Sequence, residues 1–281
     1  MPSDLIEHIR IPSTDDYPLA ASVYGEGDEQ LVIINSATAV PRRFYRYYAA
    51  ALADAGFRVI TFDYRGIGES RPNSLRGFTV RSRDWVFGDM AGVLRFARRA
   101  YKPSKLFLIG HSIGGQLAGL LEDADAIDGM ITMSAQSGHW RLQGAEQKWV
   151  VALHVHVTLP LAAHLFGYVP WSRMGSAEDL PKGVALDWSR WCRDRKYVLG
   201  DDSLPLERYA SFRAPVLAYS IDDDKWGTRP AVEAMMQAYP NLRRRHIVPA
   251  EHGFEQLGHF GYFRKSASAL WQDGIDWLRE R

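Results

Sequence analysis

A serine, a histidine and a carboxylate can cleave an acyl bond when folding brings them together, and this chain carries candidates for each. Ser112 lies in Gly110-His111-Ser112-Ile113-Gly114, which fits G-x-S-x-G. The apolar run Leu106-Phe107-Leu108-Ile109 before it reads as a buried parallel strand, and Gly115–Leu121 after it reads as a helix. A sharp strand-to-helix turn strains the serine backbone and holds its hydroxyl out from the sheet. Gly110 and Gly114 suit a place where strand and helix pass too close for a Cβ. The first helical N–H groups face whatever the hydroxyl attacks, so the Ile113 N–H is placed to stabilise an oxyanion.

A serine hydroxyl is a weak nucleophile at neutral pH. It needs an imidazole to take its proton and a carboxylate to orient that imidazole. In a doubly wound sheet both must come from loops at the C-terminal edge. Asp222, Asp223 and Asp224 follow the strand-like Pro215–Ser220, and the run alone leaves the choice among them open. His259 sits between glycines in Leu257-Gly258-His259-Phe260-Gly261, whereas His252 beside Glu251 reads as surface. His111, next to the serine on a tight turn, is expected to aim away from it. His154 and His156 have an H-x-H spacing that suits one strand face, with no third ligand to make a metal site.

The rest of the chain supplies elements that would position these loops. Strands are expected at Leu5–Ile11, Pro18–Tyr24, Leu31–Ile34, Phe57–Phe62, Ile127–Met133 and Leu242–Val248, besides the two already named. The turn Gly25–Asp28 joins the second and third. Helices are expected from Pro41 to about Asp54, over Asp84–Ala100 and Thr228–Tyr239, and from Ser266 to Arg281. That alternation predicts an α/β fold, a mostly parallel sheet covered on both faces. Between about Ser137 and Ser211 the rhythm breaks into a helical, tryptophan-rich stretch with Trp140, Trp149, Trp171, Trp188 and Trp191. The division expected is a core of residues 1–136 and 212–281 with a helical cap insertion of 137–211. Its tryptophans would build a small core of their own and line an apolar pocket.

Composition bounds the partners. The 281 residues are 46% hydrophobic, enough for a sizeable core, and the formal net charge of +1 gives no general attraction to nucleic acid. Arg98-Arg99 and Arg243-Arg244-Arg245 read as solvated faces. The single cysteine, Cys192, permits a reducing compartment, and Met1-Pro2-Ser3-Asp4 lacks the start of a signal peptide, so a cytoplasmic location is expected. Trp149 to Trp171 contains no Asp, Glu, Lys or Arg and is long enough to span a bilayer. Three histidines and Pro160 interrupt it, so a helix pair broken near Pro160 is expected, and membrane contact is not. In Asp63-Tyr64-Arg65-Gly66-Ile67-Gly68-Glu69-Ser70 the dinucleotide pattern fails at Arg71, which leaves a tight turn beside the sheet edge.

With nucleophile, acid and histidine in that order, the chain resembles the α/β-hydrolase family over about Leu5 to Leu278. Asp63–Ser70 matches the D-x-R-G-x-G-x-S turn of many members. More narrowly, Leu180-Pro181-Lys182-Gly183-Val184-Ala185 and Gly258-His259-Phe260-Gly261-Tyr262-Phe263-Arg264 are similar to phrases in a bacterial subgroup related to serine aminopeptidase-like (S33-type) hydrolases. The resemblance implies Ser112 as nucleophile and His259 as general base. It selects Asp224 as the acid, nine residues after the proline that opens the strand. Where members usually carry His-Gly this chain has Asn35-Ser36-Ala37-Thr38, which points to the backbone of Ala37 first and Thr38 second as the other oxyanion donor. A serine hydrolase acting on a small-molecule carboxylic ester or related acyl compound is the function expected, with neither cofactor nor metal. The rivals are an acyltransferase on the same three residues, a peptidase or amidase using Glu146, Glu178 or Asp179 to hold an amine, and a non-catalytic ligand-binding member.

Overall fold

A strand buried on both faces must be apolar on both, and each central strand here is. The computed structural model describes residues 6–27, 29–174 and 177–281. The expected strand start at Leu5, the turn residue Asp28 and the segment Met1–Asp4 lie outside them. Six strands precede the insertion: β1 (Ile6–Pro12), β2 (Pro18–Tyr24), β3 (Gln30–Asn35), β4 (Arg58–Phe62), β5 (Lys105–His111) and β6 (Gly129–Met133). Two short ones, β7 (Tyr168–Val169) and β8 (Leu180–Pro181), pair within it, and β9 (Val216–Ile221) and β10 (Leu242–Ile247) follow. The large sheet runs β1-β2-β4-β3-β5-β6-β9-β10. Only β2 runs against the others, pairing antiparallel with β1 and β4.

The helices in chain order are α1 (Arg46–Asp54), α2 (82–101), α3 (Ile113–Gln116) and α4 (Lys148–Phe166). Then come α5 (Lys182–Arg193), α6 (Glu207–Ser211), α7 (Arg229–Met236) and α8 (Trp271–Arg279). Val32, Ile34, Phe107 and Ile109 face α1 and α8, packing with Tyr48, Leu52, Ile275 and Leu278. Their neighbours Leu31, Ile33, Leu106 and Leu108 face the other way, with Val93 and Leu94 of α2 and Val232 and Met235 of α7. The period-2 alternation therefore feeds two cores from one sheet. The second core runs on without a break into the insertion, through Val151, Val155, Leu159, Val184 and Tyr209.

One expected element is corrected. The helix pair broken at Pro160 is a single 19-residue helix, α4. Its middle turn, His154–Thr158, is widened to the π form, and Pro160 opens the last stretch at its first turn. The widened turn gives the proline ring room that a regular α-turn would deny it. His154 and His156 accordingly lie on a helix and not on a strand face.

The turn at Asp63–Ser70 is held by buried charge. The Asp63 carboxylate accepts the Arg42 guanidinium and the backbone N–H groups of Arg42 (2.6 Å) and Glu69 (3.0 Å). Arg65 is clamped between Asp89 (2.6 Å) and Asp15 (2.5 Å). Removing one partner would leave a buried charge uncompensated. The turn is a structural pin, tied by its side chains to Arg42, Asp15 and Asp89.

Candidate active site

Ser112 stands at the exit of β5 with φ 51° and ψ −119°, a conformation L-residues rarely adopt. A Cβ on Gly110 would collide with Gly115, and one on Gly114 with the Asn35 carbonyl. The two glycines thus let β5, α3 and the end of β3 meet closely enough to impose the strained turn. The turn is anchored by the Ser112 N–H donating to the Met133 carbonyl at 2.9 Å. In this structure the Ser112 hydroxyl donates to Gln136 Oε1 at 3.4 Å.

The three consecutive aspartates after β9 separate by what each one holds. Asp222 is exposed and meets the His246 ring at 3.2 Å. Asp223 accepts the backbone N–H groups of Leu257 (2.9 Å) and Gly258 (2.8 Å), so it fixes the loop that carries His259. Asp224, 1% exposed, holds the ring itself: its Oδ2 lies 2.7 Å from His259 Nδ1. Its other oxygen accepts the N–H groups of Trp226 (2.9 Å) and Gly227 (2.7 Å). Burial works to raise the Asp224 pKa, but the His259 imidazole, helped by the Gly227 N–H, outweighs it and leaves it below the usual value. His252 is exposed.

His111 does more than its sequence position promised. Its ring is fully buried against the His259 ring, with centroids 5.1 Å apart. One nitrogen meets the His259 carbonyl oxygen and the other the Tyr45 hydroxyl, both at 2.9 Å. Tyr45 in turn accepts the Ala37 N–H at 2.8 Å. Burial, with the neighbouring His259 second, pushes the His111 pKa down to about 3, so its ring is neutral at physiological pH. A neutral ring donates from one nitrogen and accepts at the other. The chain Ala37 N–H to Tyr45 O–H to His111 to the His259 carbonyl is therefore consistent throughout, and it ties the β3 exit to the His259 loop. It also engages the Ala37 N–H, the first-choice oxyanion donor. Thr38, on the cavity wall, is the neighbouring backbone position.

A cavity of about 560 Å³ opens over these residues. Ser112, His259, Ala37 and Thr38 line it together with Val150, Val151, Trp171, Trp188 and Trp226. The lining includes no Asp, Glu, Lys or Arg among the described residues. Its polar groups beside Ser112 are ordered by the insertion. The Tyr197 hydroxyl donates to Gln116 Oε1 (2.9 Å), and Gln116 Nε2 donates to Gln136 Oε1 (3.3 Å). Tyr197 is itself held at φ 56°, so backbone strain is spent on placing it. The acids that would hold an amine are engaged by other cations. Glu146 pairs with Lys225 (3.0 Å), Glu178 with Arg43 (2.9 Å) and Asp179 with Arg71 (2.9 Å).

Tyr45, Gln116, Gln136 and Tyr197 escaped the sequence reading. Gln136 could have been found by asking which polar residue follows each strand at the C-terminal edge, since it lies three residues past β6. Tyr197 gave no such signal.

A family model for the alpha/beta hydrolase fold matches residues 31–161. A protein of Variovorax paradoxus (strain S110) assigned as carbamate hydrolase RutD is 29% identical over 123 residues. That match covers 43% of this chain and spans only 43% of the relative's length. The esterase EaEST from Exiguobacterium antarcticum superposes with a TM-score of 0.63 at 17% identity, covering 97% of this chain and 100% of that one. A soluble variant of monoglyceride lipase from Saccharomyces cerevisiae gives 0.71 at 15% identity, covering 99% and 95%. At such identities the likeness is one of fold. The strand order, the strained serine between β5 and α3, and the matched family model agree, and the chain has the alpha/beta hydrolase fold.

Proposed function

We propose that the protein is a serine hydrolase that cleaves a carboxylic ester or related acyl bond through Ser112, His259 and Asp224. The observation that carries this reading is the 2.7 Å contact between His259 Nδ1 and the buried Asp224, on a ring that shares one cavity wall with Ser112. With Nδ1 taken, Nε2 is left for the serine proton. Attack begins when the Ser112 hydroxyl turns from Gln136 to His259. Oγ bonds to the acyl carbon as its proton passes to Nε2, and the carbonyl oxygen takes up the negative charge. The N–H groups of Ile113 and Thr38 stabilise that oxyanion, with Thr38 taken ahead of Ala37 because Tyr45 already holds the Ala37 N–H. Collapse expels the alcohol, which receives the proton from His259 and leaves an acyl-enzyme. Water, deprotonated by the same ring, releases the acid.

The absence of charged side chains from the described cavity lining supports an uncharged, largely apolar acyl substrate. The pairing of Glu146, Glu178 and Asp179 with surface or loop cations weighs against an aminopeptidase. A carbamate is another acyl bond this machinery would serve, and the partial relative is assigned to that reaction. A fluorophosphonate probe is expected to label the wild-type chain, and Ser112→Ala to abolish the label. Unlabelled, folded wild-type protein would end the reading.

A further inference from the structure

Helix α4 has two faces that have solved different problems. Its inner face buries Val151, Val155, Leu159 and Ala163 against the insertion and core, and the Val155 carbonyl accepts the Ser189 hydroxyl at 2.5 Å. That packing, on four of the nineteen residues, ties the helix to the protein beneath it. The outer face carries an apolar stripe of its own. Trp149, Leu153, Val157, Leu161 and Leu165 run down it at helical spacing, with Val150 and Phe166 at its ends. These seven are 40–68% exposed, and they are seven of the ten large apolar side chains that the described residues leave exposed. Scattered exposure is ordinary; a contiguous stripe on one helix marks a contact surface.

The charge around the stripe indicates the kind of contact. Residues 149–171 carry no acid, and the polar side chains exposed along 149–166 are His156, Thr158 and His164. The flanks are basic. Lys148 lies over the Trp149 ring (5.7 Å), Arg141 over Trp140 (4.4 Å), and Arg173 stands exposed beyond the far end. Glu146, the acid beside the near end, is engaged by Lys225. Tryptophan at an end of an apolar stripe with cations around it is the pattern of a helix lying at a lipid–water interface.

Size argues against a second copy. Nineteen residues make a helix about 28 Å long, and a strip about 10 Å wide presents roughly 300 Å². A stable protein–protein contact needs about 800 Å² from each partner. A lipid surface needs no matching shape.

We propose that the outer face of α4 docks the protein onto a lipid surface carrying anionic headgroups. The docked face is continuous with the cavity, because Val150 of that face lines it, with His154 and Trp171 beside it. An apolar acyl substrate dissolved in the lipid then reaches Ser112 without crossing water. This corollary rests on the hydrolase reading; the docking does not.

The test is flotation of the full chain with vesicles of phosphatidylcholine alone and of phosphatidylcholine with phosphatidylglycerol. Wild-type protein is expected to float with both, more with the anionic vesicles, and less as salt is raised. Leu161→Glu/Leu165→Glu should lower the bound fraction about tenfold or more. It should leave the melting midpoint and the rate on a short, soluble ester unchanged. If that pair misfolds, Leu161→Gln alone serves, with the same direction expected. Wild-type protein that stays in the aqueous layer, or a variant that floats as well as wild type, overturns the proposal. So does light scattering that shows a dimer dissolved by the same substitutions, which would make the face a contact between copies. Ser112→Ala should float like wild type, so failure of the hydrolase reading leaves the flotation result standing. For the corollary, wild type should cleave an ester held in the vesicles about tenfold faster than the double variant. Equal rates would overturn it.

Discussion

Two helices of one hydrophobic core, α2 and α4, bury similar stripes and differ on the opposite face. In α2 the residues Val93, Leu94 and Ala97 are buried while Arg98 and Arg99 stand in water. In α4 the stripe Val151, Val155, Leu159 and Ala163 is buried while leucines, a valine and a tryptophan stand outside. The inner stripes identify a helix that packs on a core, and they look alike. What distinguishes a finished surface from an unfinished one is the outer face. The same contrast separates the two parts of the cavity: loops from the sheet edge bring Ser112 and His259, and the insertion brings apolar walls and the tyrosine that orders Gln116.

The largest effect expected tests whether the chemistry belongs to the sheet-edge loops. Asp224→Asn should lower kcat about 10³–10⁴-fold in an ester assay, as loss of the acid does in such sites. Asp223→Ala, which only frees the Leu257 and Gly258 N–H groups, should cost about tenfold by loosening the loop, and Asp222→Ala should cost nothing measurable. Equal losses at all three would break the assignment. Stability comes next. Leu94→Ala and Leu159→Ala, both in fully packed stripes, should each cost about 2–5 kcal/mol in denaturant unfolding. If Leu159→Ala were neutral, α4 would not be packed as described and the comparison would fail.

A third measurement sharpens the comparison from the core side. The His111 pKa is lowered by burial to about 3, so the folded chain binds fewer protons there than the unfolded chain. Its contribution is whole above the unfolded value of 6.5 and is lost as pH falls from there towards 3. The melting midpoint of wild type should therefore fall across that window, and in His111→Gln the fall should be shallower. An identical slope in the variant would remove His111 from the account. The smallest effect is on the outer faces: Leu161→Ala and Arg98→Ala should each change stability by less than about 0.5 kcal/mol.

The legible part of the site was the part written in local patterns. The serine turn could be read because glycines on both sides of a serine, after an apolar run, describe one geometry. His259 could be read because it follows the last strand between glycines. The choice among Asp222, Asp223 and Asp224 could not be read from a run of three identical carboxylates. It depends on which one points at an imidazole 35 residues away. The partners of His111 were illegible for a similar reason: adjacency in sequence said nothing about Tyr45, 66 residues distant, or about the His259 carbonyl.

By itself the amino-acid order determined the α/β alternation, the two-sided sheet, the strained turn at Ser112 and the place where the rhythm breaks, because each follows from side-chain period and backbone sterics over a few residues. Only the tertiary structure decided which carboxylate holds His259, which N–H Tyr45 occupies, that Pro160 lies within one helix, and which face of that helix is left uncovered. Those outcomes turn on contacts between residues far apart in the chain, and burial and hydrogen-bond partners exist only after the chain has closed on itself.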